Sequence, residues 1–146
     1  EPTTALDVTV QAQILEVIQR IQRELNTAVV FITHDLGVIA RIADKVQVMY
    51  AGRPAERGGV YEMFDHPTHP YTRGLLNSLP VLGRERLNPI PGAPPNMIRP
   101  PSGCAFRTRC DFATDVCAAG SPPELRTFKD VETACVRAGE LDGVMA

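Results

Sequence analysis

The sequence predicts an α/β fold with parallel strands, followed by an irregular C-terminal extension. Three observations carry this prediction. Helical and strand patterns alternate over the first third of the chain. Seven of the 13 prolines lie between positions 80 and 101, and all four cysteines follow residue 103. We therefore divide the chain into a regular region at residues 1–59, a short helical region at 60–80, and a Pro- and Cys-rich region at 81–146.

The first predicted element is a helix over residues 10–25. Apolar side chains recur there at helical spacing, and glutamines and charged residues occupy the opposite face. Asp7 or Thr9 can accept a backbone hydrogen bond and so cap the start of the helix. Asn26 suits its end, because asparagine tolerates the left-handed conformation of a C-terminal cap.

A buried strand is predicted next, at residues 28–33. This run is continuously apolar and rich in β-branched residues, which is typical of a parallel strand covered on both faces. A short helix over residues 36–43 and a second strand over 45–50 should follow. Such a helix–strand order predicts right-handed crossovers within one α/β domain.

Polar residues follow the first predicted strand at its carboxyl end, where parallel sheets bind their ligands. They are Thr33, His34 and Asp35. Position alone leaves two interpretations of His34 open: it could contact a ligand, or it could serve as a local cap.

Two motifs together resemble those of ABC-transporter ATPases. Residues 1–7, Glu-Pro-Thr-Thr-Ala-Leu-Asp, resemble the acid that ends the Walker B strand and the D-loop that follows it. Residues 33–35, Thr-His-Asp, resemble the segment that carries the switch histidine. The resemblance implies the parallel sheet of a P-loop NTPase, here in its C-terminal part.

Catalytic roles follow from this resemblance. Glu1 would accept a proton from, or orient, the water that attacks the γ-phosphate of ATP. His34 would contact the γ-phosphate and that water, a task suited to imidazole. The D-loop would lie along the seam between two ATP-binding subunits; its residues are Pro2, Thr3, Thr4, Ala5, Leu6 and Asp7.

Several parts of an ABC ATPase do not occur within the 146 residues. The sequence contains no Gly-rich P-loop with its lysine, no Walker B aspartate, no glutamine loop and no Leu-Ser-Gly-Gly-Gln signature. ATP and Mg²⁺ depend on these parts. We therefore expect the chain to be a fragment that is inactive alone and contributes to hydrolysis within the full-length subunit.

The middle region narrows the resemblance to one branch of the family. A turn segment is predicted at residues 53–59 and a short helix at 61–65, and Pro70 suits the start of another helix. The His-Pro-Tyr-Thr-Arg string at 69–73 resembles the C-terminal extension of oligopeptide and dipeptide importer ATPases. Pro54 departs from that pattern, and its missing N–H predicts an edge strand or an early strand end.

This branch implies a set of partners and a location. They are a second ATP-binding subunit in a homo- or heterodimer, two membrane-spanning permease subunits and, indirectly, an extracytoplasmic peptide-binding protein. The subunit would lie peripherally on the cytoplasmic face of the membrane. The net charge of −2 predicts no broad attraction to nucleic acid. No run approaches the roughly 18 apolar residues of a membrane-spanning helix, and no signal-peptide pattern is visible.

The four cysteines are Cys104, Cys110, Cys117 and Cys135, separated by five, six and 17 residues. Their spacing leaves several interpretations open. Disulfides would require an oxidising compartment, and structural zinc usually uses closer Cys pairs. An iron–sulfur cluster accepts looser spacing, and unligated thiols in a packed cap are a further alternative.

The resemblance favours a [4Fe–4S] cluster at these cysteines, as a structural staple rather than a redox centre. Four nearby cations could offset the charge of a thiolate-ligated cluster: Arg107, Arg109, Arg126 and Lys129. The rival hypothesis is a stand-alone iron–sulfur or zinc binding module on an ABC-like scaffold.

Overall fold

The chain divides into two units, and the described part of the first contains two helices. The computed structural model describes residues 6–80 and 88–144, and the chain divides into units at residues 1–43 and 44–146, each treated by itself. The first unit contains helix α1, Val8–Leu25, and helix α2, Leu36–Ile42. Both helices were predicted, and each lies within two residues of its expected bounds.

The caps of α1 explain why the helix begins and ends where it does. The carboxylate of Asp7 accepts hydrogen bonds from the amides of Thr9 and Val10, both at 2.9 Å. Asn26 adopts the left-handed conformation, with φ 46° and ψ 48°. Both predicted caps are thus confirmed.

Residues 28–33 form neither helix nor strand in the structure, so the expected strand buried on both faces is not observed. Val30 is 90% exposed and Ile32 72% exposed. A strand forms only when a neighbour takes up its N–H and C=O groups. No described segment of this unit is a strand that could do so.

The first unit also leaves much of its apolar surface uncovered. Leu15 and Val38 are its buried apolar residues among those described. The apolar stripe of α1 reaches solvent, as do neighbouring positions. The large exposed apolar residues of this unit are Leu6, Val8, Val10, Val17, Ile21, Leu25, Val29, Val30 and Ile32.

The second unit is built on a four-stranded antiparallel sheet. Its strands are β1 (Lys45–Tyr50), β2 (Arg53–Gly59), β3 (Arg126–Phe128) and β4 (Val131–Thr133). The strand order is β1-β2-β4-β3, and all three pairings are antiparallel. The strand predicted at residues 45–50 is therefore present, but its partner is antiparallel rather than parallel.

The turn predicted at residues 53–59 is wrong, because these residues form β2. Ala51 and Gly52 have φ angles of 49° and 74°, as tight hairpin turns require, and Tyr50 pairs with Arg53 directly across them. Pro54 lies opposite Met49, next to a register shift in β1, where a missing N–H is tolerated. The strand neither ends at Pro54 nor lies at the edge of the sheet.

Two short helices follow β2, close to their predicted positions. Helix α3 spans Val60–Asp65 and helix α4 spans Pro70–Asn77. Pro70 is the first residue of α4, as predicted. The Nδ1 atom of His69 caps this helix by accepting the amide of Tyr71 at 3.1 Å.

The C-terminal part is more regular than predicted. The Pro-rich segment at 88–101 contains no helix or strand. It is followed by two 3₁₀ turns, Ala105–Arg109 and Asp115–Ala118, then by β3 and β4, and finally by helix α5, Ala138–Leu141. A small apolar core forms around Cys135, Ala138 and Leu141 with Phe112 and Phe128. Among the described helices, none has the length and apolarity to cross a membrane.

Candidate functional site

The structure describes part of the predicted nucleotide site. Leu6, Asp7 and His34 belong to this part. Asp7 caps α1, as one of its two predicted roles requires. The other predicted residues lie outside the described ranges: Glu1, Pro2, Thr3, Thr4 and Ala5.

His34 projects from a short loop that is fixed on both sides. The hydroxyl of Thr33 accepts the amide of Asp35 at 3.0 Å. One carboxylate oxygen of Asp35 accepts the amides of Gly37 and Val38, at 2.9 and 3.2 Å, and so caps α2. Since Asp35 is the cap, the exposed imidazole of His34 is not needed for that purpose.

The carboxylate of Asp35 also contacts α1. Its second oxygen, Oδ2, accepts a hydrogen bond from Nε2 of Gln11 at 3.3 Å. The amide of Val38 is the main reason that the pKa of Asp35 lies below its ordinary value, and Gln11, Gly37 and His34 act in the same direction. Sequence reasoning placed Gln11 on the solvent face of the helix and missed this contact.

In the second unit, a buried carboxylate organises the start of α4. Glu56 is 0% exposed. It accepts the amide and the hydroxyl of Thr68, at 2.6 and 2.7 Å, and the amide of His69, at 3.2 Å. Burial lowers the pKa of His69 to about 4, so this histidine is neutral at physiological pH. Its ring acts as a helix cap, and no described neighbours complete a metal site around it.

An aromatic cluster joins the sheet, α4 and the cysteine region. The ring of Phe106 lies 5.2 Å from that of Tyr50 and 5.3 Å from that of Tyr71. It also lies 6.0 Å from the ring of His69. Phe106 therefore holds the first 3₁₀ turn, which lies between Cys104 and Cys110, against the helical middle region.

The structure brings all four cysteines to the wall of one small cavity: Cys104, Cys110, Cys117 and Cys135, together with His69, Phe106 and Arg107. None of the four forms a disulfide. Two of the segments are joined by a backbone hydrogen bond from the amide of Cys104 to the carbonyl of Cys117, at 2.8 Å. Burial raises the pKa of Cys104 and Cys110, and that of Cys135 to about 11.

The side chains around this cavity are not arranged as a metal centre. Within residues 6–80 and 88–144, no group of three or more His, Cys, Asp or Glu side chains is placed to hold a metal ion. The donor set matches a [4Fe–4S] cluster in kind and number, but the positions of the described side chains do not form a coordination group. The predicted iron–sulfur centre thus has no support from the geometry.

The cations expected to offset a cluster's charge have other partners. The guanidinium groups donate to backbone carbonyls: Arg107 to Ser102, Arg109 to Ile90 and Pro91, and Arg126 to Cys135 and Val136. Lys129 forms an ion pair with Asp142 at 2.6 Å. These residues hold the loops of the C-terminal region in place. Arg109 in particular fixes the Pro-rich segment, because it contacts two consecutive carbonyls there.

Comparisons with known proteins place this geometry in context. Residues 55–117 match the family model described as "Oligopeptide/dipeptide transporter, C-terminal region". The chain is 50% identical, over 97% of its length, to a peptide import ATP-binding protein of Brucella melitensis. It is 55% identical over 88% of its length to the oligopeptide transport ATP-binding protein OppD of Haemophilus influenzae, and 51% identical over 94% to OppD of Bacillus subtilis.

The chain spans about two fifths of each of these relatives. The covered shares are 44% of the Brucella protein, 40% of the Haemophilus protein and 38% of the Bacillus protein. The family model starts within β2 and ends at Cys117. It therefore includes the Glu56–Thr68 contact, α4, the Pro-rich segment and three of the four cysteines.

Proposed function

We propose that the chain belongs to the oligopeptide/dipeptide transporter family, whose C-terminal region its residues 55–117 match, and that it is part of an ATP-hydrolysing subunit that powers the import of di- or oligopeptides. One observation carries this proposal. Identity of 50–55% with proteins named for peptide import or oligopeptide transport extends over most of the chain, including the residues before β1. Those residues contain the Thr33-His34-Asp35 segment.

In the full-length subunit, we infer that residues 28–33 form a strand of a parallel P-loop NTPase sheet. The support is the segment's β-branched, apolar sequence and its exposure in this unit, where Val30 and Ile32 face solvent. The exposed apolar stripe of α1 also supports further elements packed on this unit, because a stripe of this size is normally covered by protein. Additional strands and helices of the same subunit would cover both.

The catalytic roles proposed for Glu1 and His34 rest on motif and position. Glu1 would accept the proton of the attacking water or orient it, and His34 would contact the γ-phosphate. The fixed loop between Thr33 and Asp35 supports the second role, because a positioned imidazole needs a defined backbone. ATP and Mg²⁺ would be held by residues of the full-length subunit beyond these 146.

The proposed partners are those of a peptide importer. Residues 1–7 would face a second ATP-binding subunit, and two membrane-spanning permease subunits would receive the mechanical work. A peptide-binding protein outside the membrane would deliver the peptide. The subunit would then lie peripherally on the cytoplasmic face of the membrane.

The iron–sulfur cluster is a separate proposal that rests on the number and kind of the free thiols alone, because the described side chains do not form a coordination group. The test is iron and zinc analysis of the full-length protein purified without oxygen. We expect about four irons per chain, lost when Cys117 is replaced by serine. Stoichiometric zinc, or protein that folds fully without metal, would overturn the cluster and leave a packed thiol cap. The rival hypothesis of a stand-alone metal-binding module has no support from the comparisons.

Peptide uptake by the assembled transporter in vesicles tests the main proposal. Wild-type protein should import labelled di- or oligopeptides only with ATP. Glu1→Gln should bind ATP but hydrolyse it at least about a hundredfold more slowly, because a positioned proton acceptor is lost. Glu16→Gln, at an exposed position of α1, is the matched control and should hydrolyse ATP normally. Wild-type vesicles that import no peptide would refute the proposed function.

A further inference from the structure

Gln11 contacts both Asp7 and Asp35, the residues next to the two proposed catalytic segments. We propose that Gln11 is a positioning residue that ties the loop carrying His34 to the first turns of α1, directly behind Asp7. This inference rests on the proposed function, since it uses the roles given there to His34 and Asp7.

The contact runs through the two oxygens of a single carboxylate. Oδ1 of Asp35 accepts the amides of Gly37 and Val38 and thereby fixes the start of α2. Oδ2 accepts Nε2 of Gln11 at 3.3 Å, across 24 positions of sequence. Asp35 thus connects its own loop to both helices, and Gln11 supplies the connection to α1.

Through its backbone, Gln11 also contacts Asp7, the last residue of the predicted D-loop. Its amide donates to the carbonyl of Asp7 at 2.9 Å, as the first full turn of α1 closes. The carboxylate of Asp7 holds the amides of Thr9 and Val10 in the same turn. One helical turn held in this way moves as a unit. A displacement of Asp7 would therefore carry the side chain of Gln11 with it.

His34 lies between Thr33 and Asp35, so its backbone depends on the position of Asp35. The hydroxyl of Thr33 accepts the amide of Asp35 at 3.0 Å, which closes a tight turn around the histidine. A change in the orientation of Asp35 would therefore shift the backbone that carries the imidazole. Loss of the Gln11 contact should impair the alignment of His34 with the γ-phosphate more than it impairs ATP binding.

A simpler role for Gln11 would be to hold α1 against α2 in a general way. Gln19 offers a comparison, because its Nε2 donates to the carbonyl of Arg41 at 3.5 Å, at the opposite end of α2. Both residues are glutamines on α1, and both contact α2 or its cap. Gln19 lies about two turns further along the helix, and its hydrogen bond is to the end of α2 that is remote from the His34 loop.

The experiment measures kcat and KM for ATP in the assembled, full-length transporter carrying Gln11→Ala or Gln19→Ala. We expect Gln11→Ala to lower kcat about fivefold with an unchanged KM, the scale of one hydrogen bond to a charged acceptor at a partly exposed site. Gln19→Ala should leave kcat within about twofold of the wild type. Equal effects of the two variants, or an effect of Gln11→Ala on KM alone, would overturn the positioning role.

A charge-swapped pair gives a second readout that a purely structural role would not produce. Gln11→Glu places a carboxylate against Asp35 and should lower kcat about tenfold or more. Adding Asp35→Asn restores a donor facing an acceptor and keeps a good capping residue, so the double variant should recover most of the lost rate. Failure of the second change to restore any rate would refute the contact.

The same preparations separate this inference from the proposed function. If Glu1→Gln abolishes turnover while every Gln11 variant hydrolyses ATP at the wild-type rate, only the role of Gln11 fails. If the wild-type transporter hydrolyses no ATP, the proposed function fails and this inference fails with it.

Discussion

The fully buried carboxylate of Glu56 accepts both the amide and the hydroxyl of Thr68, at 2.6 and 2.7 Å. A third hydrogen bond comes from the amide of His69. These contacts attach the middle of β2 to the residues that begin α4. They are the polar centre of the region that matches the peptide-transporter family model.

Glu56→Ala should destabilise α4 strongly, because it leaves three donors without an acceptor: the buried amide of His69 and the partly buried amide and hydroxyl of Thr68. We expect the free energy of opening of α4, measured by hydrogen exchange in the full-length subunit, to fall by about 2–4 kcal/mol. Arg57→Ala is the control at the neighbouring position, where an exposed ion pair with Glu132 should contribute little. Similar losses in the two variants would contradict a special role for Glu56.

Local signals explain the elements that the sequence predicted well. The caps Asp7 and Asn26 and the helix-starting Pro70 act within a few residues of their own position. Strand β2 was missed because its signals are not local. Its turn uses Ala51 at a positive φ, which few alanines adopt, and its second partner, β4, is more than 70 residues away.

The contacts of the candidate sites also depend on residues that are distant in sequence. The run at residues 28–33 has the composition of a buried strand, but whether it pairs depends on strands that the described residues of the first unit do not include. Spacing alone could not place Cys104 beside Cys117, which depends on two backbone hydrogen bonds between distant segments, from Gly103 to Gly120 and from Cys104 to Cys117. Gln11 was missed because amphipathic patterning assigns a polar residue to solvent and says nothing about a carboxylate 24 positions away.

Two hydrogen-bonded glycines beside the cysteines provide a steric test. Gly103 and Gly120 both have a positive φ, at 62° and 67°. A Cβ at Gly103 would lie against the carbonyl oxygen of Cys117, whereas one at Gly120 would meet nothing within 4 Å. Gly120→Ala should therefore cost only about 1 kcal/mol, for the left-handed conformation.

Gly103→Ala should cost more, because the backbone must also move away from Cys117. We expect this movement to expose the buried Cys117 thiol and to accelerate its alkylation by a maleimide at least about tenfold relative to the Gly120→Ala variant. Equal alkylation rates in the two alanine variants would show that the close approach at Gly103 does not hold the cysteine segments together.

The buried His69 predicts how stability depends on pH. Its pKa is lowered from 6.5 to about 4 by burial, so between these values the unfolded chain takes up a proton that the folded chain does not. Stability should therefore fall as the pH drops from about 6.5 to about 4, by at most about 3 kcal/mol, and be fully present above pH 6.5. Thermal melting across this range measures the effect.

His69→Asn is the matched variant for this measurement. Asparagine can accept the amide of Tyr71 as a helix cap but does not titrate. The variant should melt with a weaker dependence on pH below about 6.5 than the wild type. Parallel melting curves for the two proteins would mean that another group is responsible for the acid sensitivity.

ATP hydrolysis by the assembled, full-length transporter carrying His34→Ala tests the central claim most directly. We predict ATP binding close to that of the wild type and hydrolysis at least about a hundredfold slower, because the imidazole proposed to contact the γ-phosphate is gone. His66→Ala, which removes an exposed histidine in the second unit, should hydrolyse ATP normally. Turnover at the wild-type rate by His34→Ala would contradict the assignment of this chain to the catalytic part of an ATP-hydrolysing subunit.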